Sequence, residues 1–478
     1  MLASELLGKE WLTEHDDIKL TGIAYDSRNI MPGNVFVCIK GFETDGHKFA
    51  ASAAKNGAAL IVAEDEIDVD VPVWYVKDSR KTIAEMACKY YDNPSKKFKL
   101  IGVTGTNGKT TITYLIKSII ETAGMRIGVI GTNQNIIGDK VLVTQSTTPT
   151  TPNALELQQL FSEMADSDAE CVVMEVSSHA LDLDRVHGCH FNVGVFTNLT
   201  RDHLDFHKTM ENYLAAKSKL FDISDSGVVN FDDDGGKKIA ANAPCDILKV
   251  GLGDGCDLTA KNISITARGT DFDVEYEGKT YPVHIAIPGK FSVYNAICAF
   301  GAAILMGIDI PTIIEGLKNA TGVMGRVEVV PTDTDYTVII DYAHTPDGLE
   351  NIISTVKDFA KGRVITLFGC GGDRDNTKRA IMGEIAGKLS DFSIITSDNP
   401  RTEDPVKIVN QIEEGMKKTD GEYTVIVDRR EAIAWALDNA KKDDVIILAG
   451  KGQETYQIIG KEKFDFDERV VVYKHLNK

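Results

Sequence analysis

A glycine-rich loop between a strand and a helix limits the folds open to this chain more than any other feature of its sequence. Residues 100–104 are apolar and predict a buried strand, and residues 109–123 repeat isoleucine and leucine at helical spacing. Gly124 ends that helix, as a glycine beyond the last turn commonly does. A strand, a tight loop and a helix in this order predict one unit of a parallel sheet covered by helices.

The loop reads Gly105-Thr106-Asn107-Gly108-Lys109-Thr110-Thr111, which is suited to phosphate binding. Its amides and the helix N-terminus point at a phosphate, Lys109 neutralises the phosphate charge, and the hydroxyl of Thr110 is suited to Mg2+. Val103 stands where the strict phosphate-loop pattern has its first glycine, so a glycine-rich turn without a ligand is the alternative. The strand before the loop and the helix after it favour nucleotide binding.

The length of 478 residues exceeds what one hydrophobic core usually supports. We predict an α/β protein of three domains. A smaller N-terminal α/β domain covers residues 1–97. A central domain, residues 98–325, has a P-loop-type, mostly parallel sheet with helices on both faces. The C-terminal domain, residues 326–478, is Rossmann-like and doubly wound. Gly325 lies at the second boundary and predicts a hinge there.

Apolar segments in the last third of the chain each end in a polar cluster. In a doubly wound sheet the ligand crevice lies beyond the carboxyl ends of the strands, so these clusters are expected to face one site. The predicted strands are residues 338–340, 364–368, 393–396, 424–427 and 445–448.

The composition excludes several classes of function. A formal net charge of -19 disfavours an extended nucleic-acid contact, which needs a basic stripe. The eight cysteines form no CxxC pair, and several lie in apolar segments, which is typical of reduced, buried thiols. The N-terminus lacks a secretion signal, and the apolar residues 293–308 are too few to cross a bilayer. We expect a cytoplasmic monomer without nucleic acid or a membrane span.

Glu175 lies in an apolar predicted strand, where an unpaired carboxylate is costly. A metal ion neutralises such a group, and His203, beyond the end of another predicted strand, is suited to complete the metal's ligands. The alternative is a buried ion pair with an arginine such as Arg185. Metal binding is the preferred interpretation.

Lys217 occupies an unusual place on a predicted helix. Residues 210–221 place Met210, Tyr213, Leu214, Lys217, Leu220 and Phe221 on one face. A desolvated lysine has a lowered pKa and exposes a neutral amine, which reacts with carbon dioxide to form a carbamate. A lysine that extends its ammonium to solvent explains the pattern equally well.

Five motifs in order resemble those of the Mur ligases, which join amino acids to UDP-N-acetylmuramic acid. Besides the phosphate loop they are Met174-Glu175-Val176-Ser177-Ser178-His179, Phe196-Thr197-Asn198-Leu199-Thr200-Arg201-Asp202-His203-Leu204-Asp205, Pro288-Gly289-Lys290-Phe291-Ser292-Val293-Tyr294-Asn295-Ala296 and Asp341-Tyr342-Ala343-His344-Thr345-Pro346.

The resemblance implies an ATP-dependent, Mg2+-assisted ligase that works through an acyl phosphate. It implies catalytic roles for Lys109, Lys217, Glu175 and His203, with Lys217 as N6-carboxylysine and Thr110, Glu175 and His203 at the metal. ATP contacts are implied at the loop residues Gly105, Thr106, Asn107, Gly108, Lys109, Thr110 and Thr111, and at Asn295, Arg326, Asp341 and His344.

The resemblance also implies two further binding sites. UDP-N-acetylmuramoyl-dipeptide is expected at Ser27, Thr147, Thr148, Ser177 and Arg185, although Ser27 on its own reads as a turn residue. The added amino acid is expected to be meso-diaminopimelate. Its contacts are expected at Arg374, Asp398, Asn399, Pro400, Arg401, Gly450 and Glu454, with Arg401 on the distal carboxylate and Glu454 on an ammonium group.

Three other functions compete with this interpretation. They are a lysine-adding member of the same family, a folylpolyglutamate synthetase, and a regulatory protein that only binds nucleotide. The Asp398-Asn399-Pro400-Arg401 motif and the N-terminal domain disfavour the first two, and Lys217 on an apolar face disfavours the third. Gln453 departs from the family, in which histidine is common at this position.

Overall fold

The computed structural model describes residues 1–8, 17–41, 44–138, 140–143, 148, 150–320 and 322–477. The chain forms two compact units. One comprises Met1–Cys256 with Cys298–Asp309, and the other comprises Asp257–Ile297 with Ile310–Lys478. Within the described ranges, no helix is both long enough and apolar enough to span a bilayer.

The first unit begins with a small parallel sheet in the order β1-β2-β3-β4. The central strands β2 and β3 are buried along their whole length, so they carry apolar side chains on both faces. Asp78 caps the helix that follows, since its carboxylate accepts from the amides of Arg80 and Lys81. The elements are α1 (Ala3–Leu7), β1 (Gly22–Ala24), β2 (Asn34–Val37), α2 (Ala50–Lys55), β3 (Leu60–Ala63), β4 (Val73–Tyr75) and α3 (Ser79–Tyr90), with 3-10 turns at Ser27–Asn29, Gly46–Phe49 and Pro94–Lys96.

Eight strands of a larger sheet also belong to the first unit, in the order β12-β11-β10-β5-β9-β6-β7-β8. Its strands from β12 to β6 run parallel, and β7 and β8 are antiparallel at the end. The elements are β5 (Lys99–Thr104), α4 (Lys109–Thr122), β6 (Ile127–Ile130), β7 (Asn135–Ile137), β8 (Lys140–Leu142), α5 (Ala154–Ala165), β9 (Cys171–Glu175), α6 (Ser178–Asp182), β10 (Phe191–Phe196), α7 (Leu204–His207), α8 (Met210–Asp222), β11 (Ser224–Asn230), α9 (Asp234–Asn242) and β12 (Asp246–Gly251).

The second unit contains three antiparallel strands, β13, β14 and β15, which the sequence did not predict. It also contains a sheet in the order β16-β17-β21-β18-β19-β20, parallel except for the edge strand β16. The elements are β13 (Leu258–Thr266), β14 (Gly269–Tyr276), β15 (Lys279–Ile285), α10 (Lys290–Leu305, which ends in the first unit), α11 (Ile310–Asn319), β16 (Glu328–Val330), β17 (Thr337–Asp341), α12 (Pro346–Lys357), β18 (Val364–Phe368), α13 (Lys378–Leu389), β19 (Phe392–Ile395), α14 (Pro405–Met416), β20 (Tyr423–Val425), α15 (Arg429–Asn439), β21 (Val445–Ala449), β22 (Tyr456–Ile459), β23 (Glu462–Asp465) and α16 (Glu468–Leu476).

Helices cover both faces of this parallel sheet, which confirms the predicted α/β class. One core contains residues of α12, α13 and α14, and another contains residues of α15 and α16. Two helices begin with proline in their first turn behind a polar cap, which is Thr345 for α12 and Asp404 for α14. The predicted strands at residues 338–340, 364–368, 393–396, 424–427 and 445–448 correspond to β17, β18, β19, β20 and β21.

Candidate active site

The phosphate loop has the backbone of an anion-binding turn. Gly105 has φ +147°, and a Cβ there would lie 1.9 Å from Thr197 Oγ1. Gly108 has φ +87° and caps the N-terminus of α4, whose first residue is Lys109. Both positions need glycine, because a side chain would be strained at either and would clash at Gly105. The loop therefore presents backbone amides at a helix N-terminus, as the sequence predicts.

The segment after β10 is hydrogen-bonded to this loop. Asn198 accepts from the amide of Thr106 at its carbonyl (2.9 Å) and from the amide of Asn107 at its side chain (3.0 Å). Lys109 Nζ folds over the loop and donates to the carbonyls of Gly105 (3.0 Å) and Thr106 (2.9 Å). The lysine thus lies over the turn whose amides are suited to phosphate. Thr111 is half-buried in the first turn of α4.

Glu175 ends β9 and is only 1% exposed. Its carboxylate accepts from Thr110 Oγ1 (2.9 Å), from the amide of Thr132 (2.9 Å) and from Thr132 Oγ1 (3.1 Å). Within the described part of the chain, Glu175 has no ion pair, and the guanidinium of Arg185 donates to the carbonyl of Thr151 (3.0 Å). The predicted alternative of a Glu175–Arg185 pair is therefore not formed.

These contacts fit a metal ion at Glu175. The carboxylate is buried and accepts only from neutral donors, so a cation would neutralise its charge. Thr110, another predicted metal contact, already donates its hydroxyl to this carboxylate. His203 begins the short helix α7 with φ +51°. Its ring lies 4.9 Å from that of His179, and its Nε2 lies 3.5 Å from an oxygen of Asp202.

Lys217 is buried on α8, with 1% of its surface exposed. Its Nζ lies 4.4 Å from the ring centroid of Tyr213, one turn earlier on the helix. The pKa of Lys217 is lowered to about 6, mainly by burial and also by the charge of Lys109, while Asp202 opposes the shift. A side chain reaching solvent is excluded by this burial. The amine is mostly neutral at pH 7.

A cavity of about 900 Å³ lies in the first unit, and the predicted substrate residues Ser27 and Arg185 line it. Tyr25 and Glu156 also line it, and the hydroxyl of Tyr25 donates a 2.5 Å hydrogen bond to Glu156. Asn153 donates to the same hydroxyl (3.0 Å). Burial raises the pKa of Glu156 and lowers that of Arg185.

Thr151 connects the other predicted residues of this substrate site. Its carbonyl accepts from Thr148 Oγ1 (2.9 Å) and from Arg185 Nη1 (3.0 Å). Its hydroxyl lies 3.3 Å from the hydroxyl of Ser177, which also caps α6. Three of the predicted residues thus meet at one unpredicted threonine. Thr147 lies outside the described residues.

The second unit carries the other residues predicted to bind ATP. Asp341 ends β17, and its buried carboxylate accepts from the amides of Val327 and Ala343 (both 2.8 Å). Burial raises the pKa of Asp341, although the charge of Arg326 opposes the shift. The guanidinium of Arg326 lies 5.2 Å from the ring centroid of Tyr342, whose carbonyl contacts Nδ1 of His344 (2.9 Å). Asn295 is half-buried on α10.

The residues predicted to bind the amino acid meet beyond the ends of β19 and β21. Asn399 Nδ2 donates to Glu454 Oε2 (2.8 Å). Gly450 has φ +113°, and a Cβ there would lie 2.8 Å from Asp398 Oδ2. The glycine thus lets the chain after β21 pass close to the buried carboxylate of Asp398.

Arg401 lies beside this cluster with φ +51°, and its Nη1 donates to the carbonyl of Gly372 (2.9 Å). Pro400 is buried, and its carbonyl lies so close to Gly372 that a Cβ there would be 1.9 Å away. Arg374 is exposed, and its Nη1 lies 3.3 Å from the carbonyl of the preceding Asp373. The structure therefore places Arg401 against the same glycine-rich turn that carries Arg374.

Three family models match this chain in order along its length. "Mur ligase family, catalytic domain" matches residues 19–95, "Mur ligase middle domain" matches residues 103–303, and "Mur ligase, glutamate ligase domain" matches residues 325–452. The chain belongs to the Mur ligase family. The family predicted from the five motifs is thus confirmed.

Individual Mur ligases match over almost the whole chain. The protein of Clostridium botulinum named UDP-N-acetylmuramoyl-L-alanyl-D-glutamate--2,6-diaminopimelate ligase is 48% identical over 457 residues, which cover 94% of each chain. A protein of the same name from Caldanaerobacter subterraneus is 48% identical and covers 97% of this chain and 96% of its own. A solved structure of a ligase of that name superimposes with a TM-score of 0.75 at 32% identity, covering 100% of this chain and 99% of the other.

Sequence reasoning missed several residues of this Mur ligase site. Thr132 follows β6, which pairs in parallel with β9, so the rule that neighbouring parallel strands end at one edge would have found it. Asn198 belongs to one of the five motifs, but its hydrogen bonds to the phosphate loop join two segments that are far apart in the sequence. Thr151 lies in a loop and carries no signal of its own.

Proposed function

We propose that this Mur ligase joins meso-diaminopimelate to the D-glutamate of UDP-N-acetylmuramoyl-L-alanyl-D-glutamate, with hydrolysis of ATP to ADP and phosphate, in peptidoglycan precursor synthesis. The observation that carries the proposal is the 48% identity, over more than nine-tenths of the chain, to ligases of that name. The cluster of Asp398, Asn399, Arg401 and Glu454 supports the choice of amino acid.

The three predicted domains are assigned different ligands. Residues 1–97 supply Ser27 for the UDP-substrate, residues 98–325 supply the phosphate loop, and residues 326–478 supply the amino-acid contacts. The remaining substrate contacts, at Thr147, Thr148, Ser177 and Arg185, belong to the central region. Their meeting at Thr151 supports a common ligand, with Arg185 as its cation.

The first chemical step is phosphoryl transfer. A carboxylate oxygen of the D-glutamyl residue attacks the γ-phosphorus of ATP, and the bond to the β,γ-bridging oxygen breaks, so ADP leaves with the electron pair. The product is an acyl phosphate. The loop amides and Lys109 hold the phosphates in line, and such steps are accelerated mainly by positioning and charge. Asn295, Arg326, Asp341 and His344 are assigned to the nucleotide.

Thr110, Glu175 and His203 would hold Mg2+, which supplies positive charge to the phosphates when bound. Lys217 takes part as N6-carboxylysine, because its amine is neutral and therefore open to carbon dioxide. The carbamate converts a buried amine into an anion that interacts electrostatically with Lys109.

The second step forms the amide. The neutral amine of diaminopimelate attacks the acyl carbon, the C–N bond forms, the C–O bond to phosphate breaks with its electrons on phosphate, and one proton is released. Arg401 holds the distal carboxylate in a bidentate pair, and Glu454 holds the distal ammonium. Arg374, Asp398, Pro400 and Gly450 shape this end of the site.

Phosphate release tests the proposal. The purified chain, ATP, Mg2+ and UDP-N-acetylmuramoyl-L-alanyl-D-glutamate are mixed with diaminopimelate, lysine or ornithine in parallel, and the UDP-product is identified by mass. We expect release that depends on diaminopimelate. Release with lysine in preference would support the lysine-adding alternative, and binding of ATP without amino-acid-dependent release would support a regulatory protein.

We further propose that the chain works in the cytoplasm as a monomer. Among the described residues the eight cysteines form no disulfide, and only Cys245 and Cys256 are more than slightly exposed. Size-exclusion chromatography with light scattering tests the monomer.

A further inference from the structure

Lys451 is fully buried beside the predicted amino-acid site, with 0% of its surface exposed. It follows Gly450 beyond the end of β21. Its ammonium is enclosed by the rings of Tyr456 and Phe466, whose centroids lie 5.7 Å and 5.8 Å away. Neither the motif comparison nor the proposed chemistry gives this lysine a role.

The polar contacts of Lys451 are with two residues assigned to the amino acid. Its Nζ lies 3.3 Å from Asn399 Oδ1 and 3.0 Å from Glu454 Oε2. The same Asn399 oxygen accepts from the amide of Ile458 (2.9 Å). Two donors therefore fix the side-chain oxygen of Asn399, and its Nδ2 is directed to Glu454.

Glu454 is constrained by the same arrangement. Its Oε2 accepts from Asn399 Nδ2 (2.8 Å) as well as from Lys451, and the described residues place no donor on Oε1. The carboxylate thus has one oxygen held from the protein side and one left for an incoming cation. A carboxylate held in this way matches an ammonium group.

Packing alone does not account for a charged residue here. Burying an ammonium is costly, and an aliphatic side chain of similar length would fill the space between two aromatic rings at least as well. The ammonium pairs with Glu454 at 3.0 Å and contacts Asn399, and its charge also acts on the buried Glu468. The neighbouring buried cation Arg429 has its own partner in Glu468, at 2.8 Å.

We propose that Lys451 is a positioning residue of the amino-acid site, which holds Asn399 Oδ1 and Glu454 Oε2 in place so that the other oxygen of Glu454 receives the distal ammonium of the substrate. The inference rests on the proposed function. It predicts that Lys451 contributes to recognition of that ammonium and not to ATP or UDP-substrate binding.

The test compares Lys451→Met with wild type, using Lys463→Met as the matched control. Lys463 lies 3.6 Å from the centroid of the same Tyr456 ring, but it is exposed. For Lys451→Met we expect the KM for diaminopimelate to rise about tenfold, as for loss of a hydrogen bond to a charged group, while the KM values for ATP and UDP-substrate stay unchanged. For Lys463→Met all three KM values are expected to match wild type.

A substrate that lacks the distal amine separates recognition from folding. 2-Aminopimelate keeps both carboxylates but has no ammonium for Glu454. Wild type is expected to prefer diaminopimelate, and Lys451→Met is expected to lose most of that preference. In a double-mutant cycle with Glu454→Gln, the two losses are expected to be far from additive, because they act on one contact.

Thermal unfolding of each variant checks that it is folded. Lys451→Gln is a second variant, which keeps a hydrogen-bond donor, and its KM for diaminopimelate is expected to lie between those of wild type and Lys451→Met. An unchanged KM in Lys451→Met, a KM that rises equally for all three substrates, or additive losses in the cycle would overturn the inference. If wild type itself shows no release with diaminopimelate, the proposed function fails instead.

Discussion

The burial of Lys217 makes a quantitative prediction about its chemistry. With a pKa of about 6 in place of 10.5, the neutral fraction of the amine at pH 7 is about 0.9 in place of about 3 in 10,000. Carbon dioxide reacts only with the neutral amine, so burial raises the reactive fraction about 3,000-fold. We expect Lys217→Ala to lose most activity, and a short-chain carboxylic acid such as acetate to restore part of it.

Lys219 provides a control on the same helix. It is about half exposed and pairs with Asp182 at 2.8 Å, so Lys219→Ala is expected to keep normal turnover. Phosphate release measures activity, and 13C NMR with labelled bicarbonate measures the carbamate directly. Near-normal turnover of Lys217→Ala, or a carbamate signal that persists in that variant, would refute the reasoning.

The same burial predicts how stability depends on pH. Between pH 6 and 10.5 the unfolded chain binds a proton at Lys217 that the folded chain does not, so the unfolding free energy rises with pH across this window. At about 1.4 kcal/mol per pH unit, the penalty at pH 7 is about 5 kcal/mol. In bicarbonate-free buffer, Lys217→Met is expected to be more stable than wild type by up to that amount. Urea unfolding at pH 7 and pH 10 measures the gain, which should shrink at the higher pH.

Other variants test the remaining contacts. Arg401→Ala is expected to raise the KM for diaminopimelate more than tenfold, since losing one partner of a desolvated charge pair costs ~2–5 kcal/mol, while ATP binding is unchanged. An equal loss for both ligands would contradict the assignment. Tyr25→Phe removes the hydroxyl that donates to the buried Glu156 carboxylate and is expected to lower the unfolding free energy by about 1–3 kcal/mol in urea. Gly325→Ala is expected to destabilise the chain and weaken amino-acid binding, because its Cβ would lie 2.2 Å from the amide nitrogen of Gln453. Gly278→Ala is the control, since Gly278 has the same φ of +73° and no atom within 4 Å of its Cβ position.

Elements with a buried apolar surface were predictable from sequence. Residues 445–448 form an uninterrupted apolar run, and the strand β21 is buried at every position. Residues 210–221 repeat apolar side chains at helical spacing, and α8 covers Met210–Asp222. Burial of both faces leaves an unbroken apolar run in the strand, and burial of one face leaves apolar residues at helical spacing in the helix.

Contacts between distant segments were not predictable in this way. The role of Thr151 depends on Thr148, Ser177 and Arg185 reaching it from separate loops and helices. The sequence predicts a hinge at Gly325, yet the structure places its backbone against residues 452 and 453, so close approach by itself requires a glycine there. A sequence shows that a position needs a small residue, but it does not show which neighbour requires it.

The two buried lysines show why the partner matters as much as the burial. Lys217 has an aromatic ring and the cation Lys109 near its amine, so loss of water favours the neutral, reactive form. Lys451 also lies against aromatic rings, but Glu454 contacts its ammonium at 3.0 Å, so it forms an ion pair. The first arrangement provides a nucleophile for carbon dioxide, and the second provides a fixed charge that orients two neighbours. Sequence alone does not distinguish the two lysines. The partner of each, Lys109 for Lys217 and Glu454 for Lys451, is positioned by the segment that follows a strand, β5 and β21 respectively.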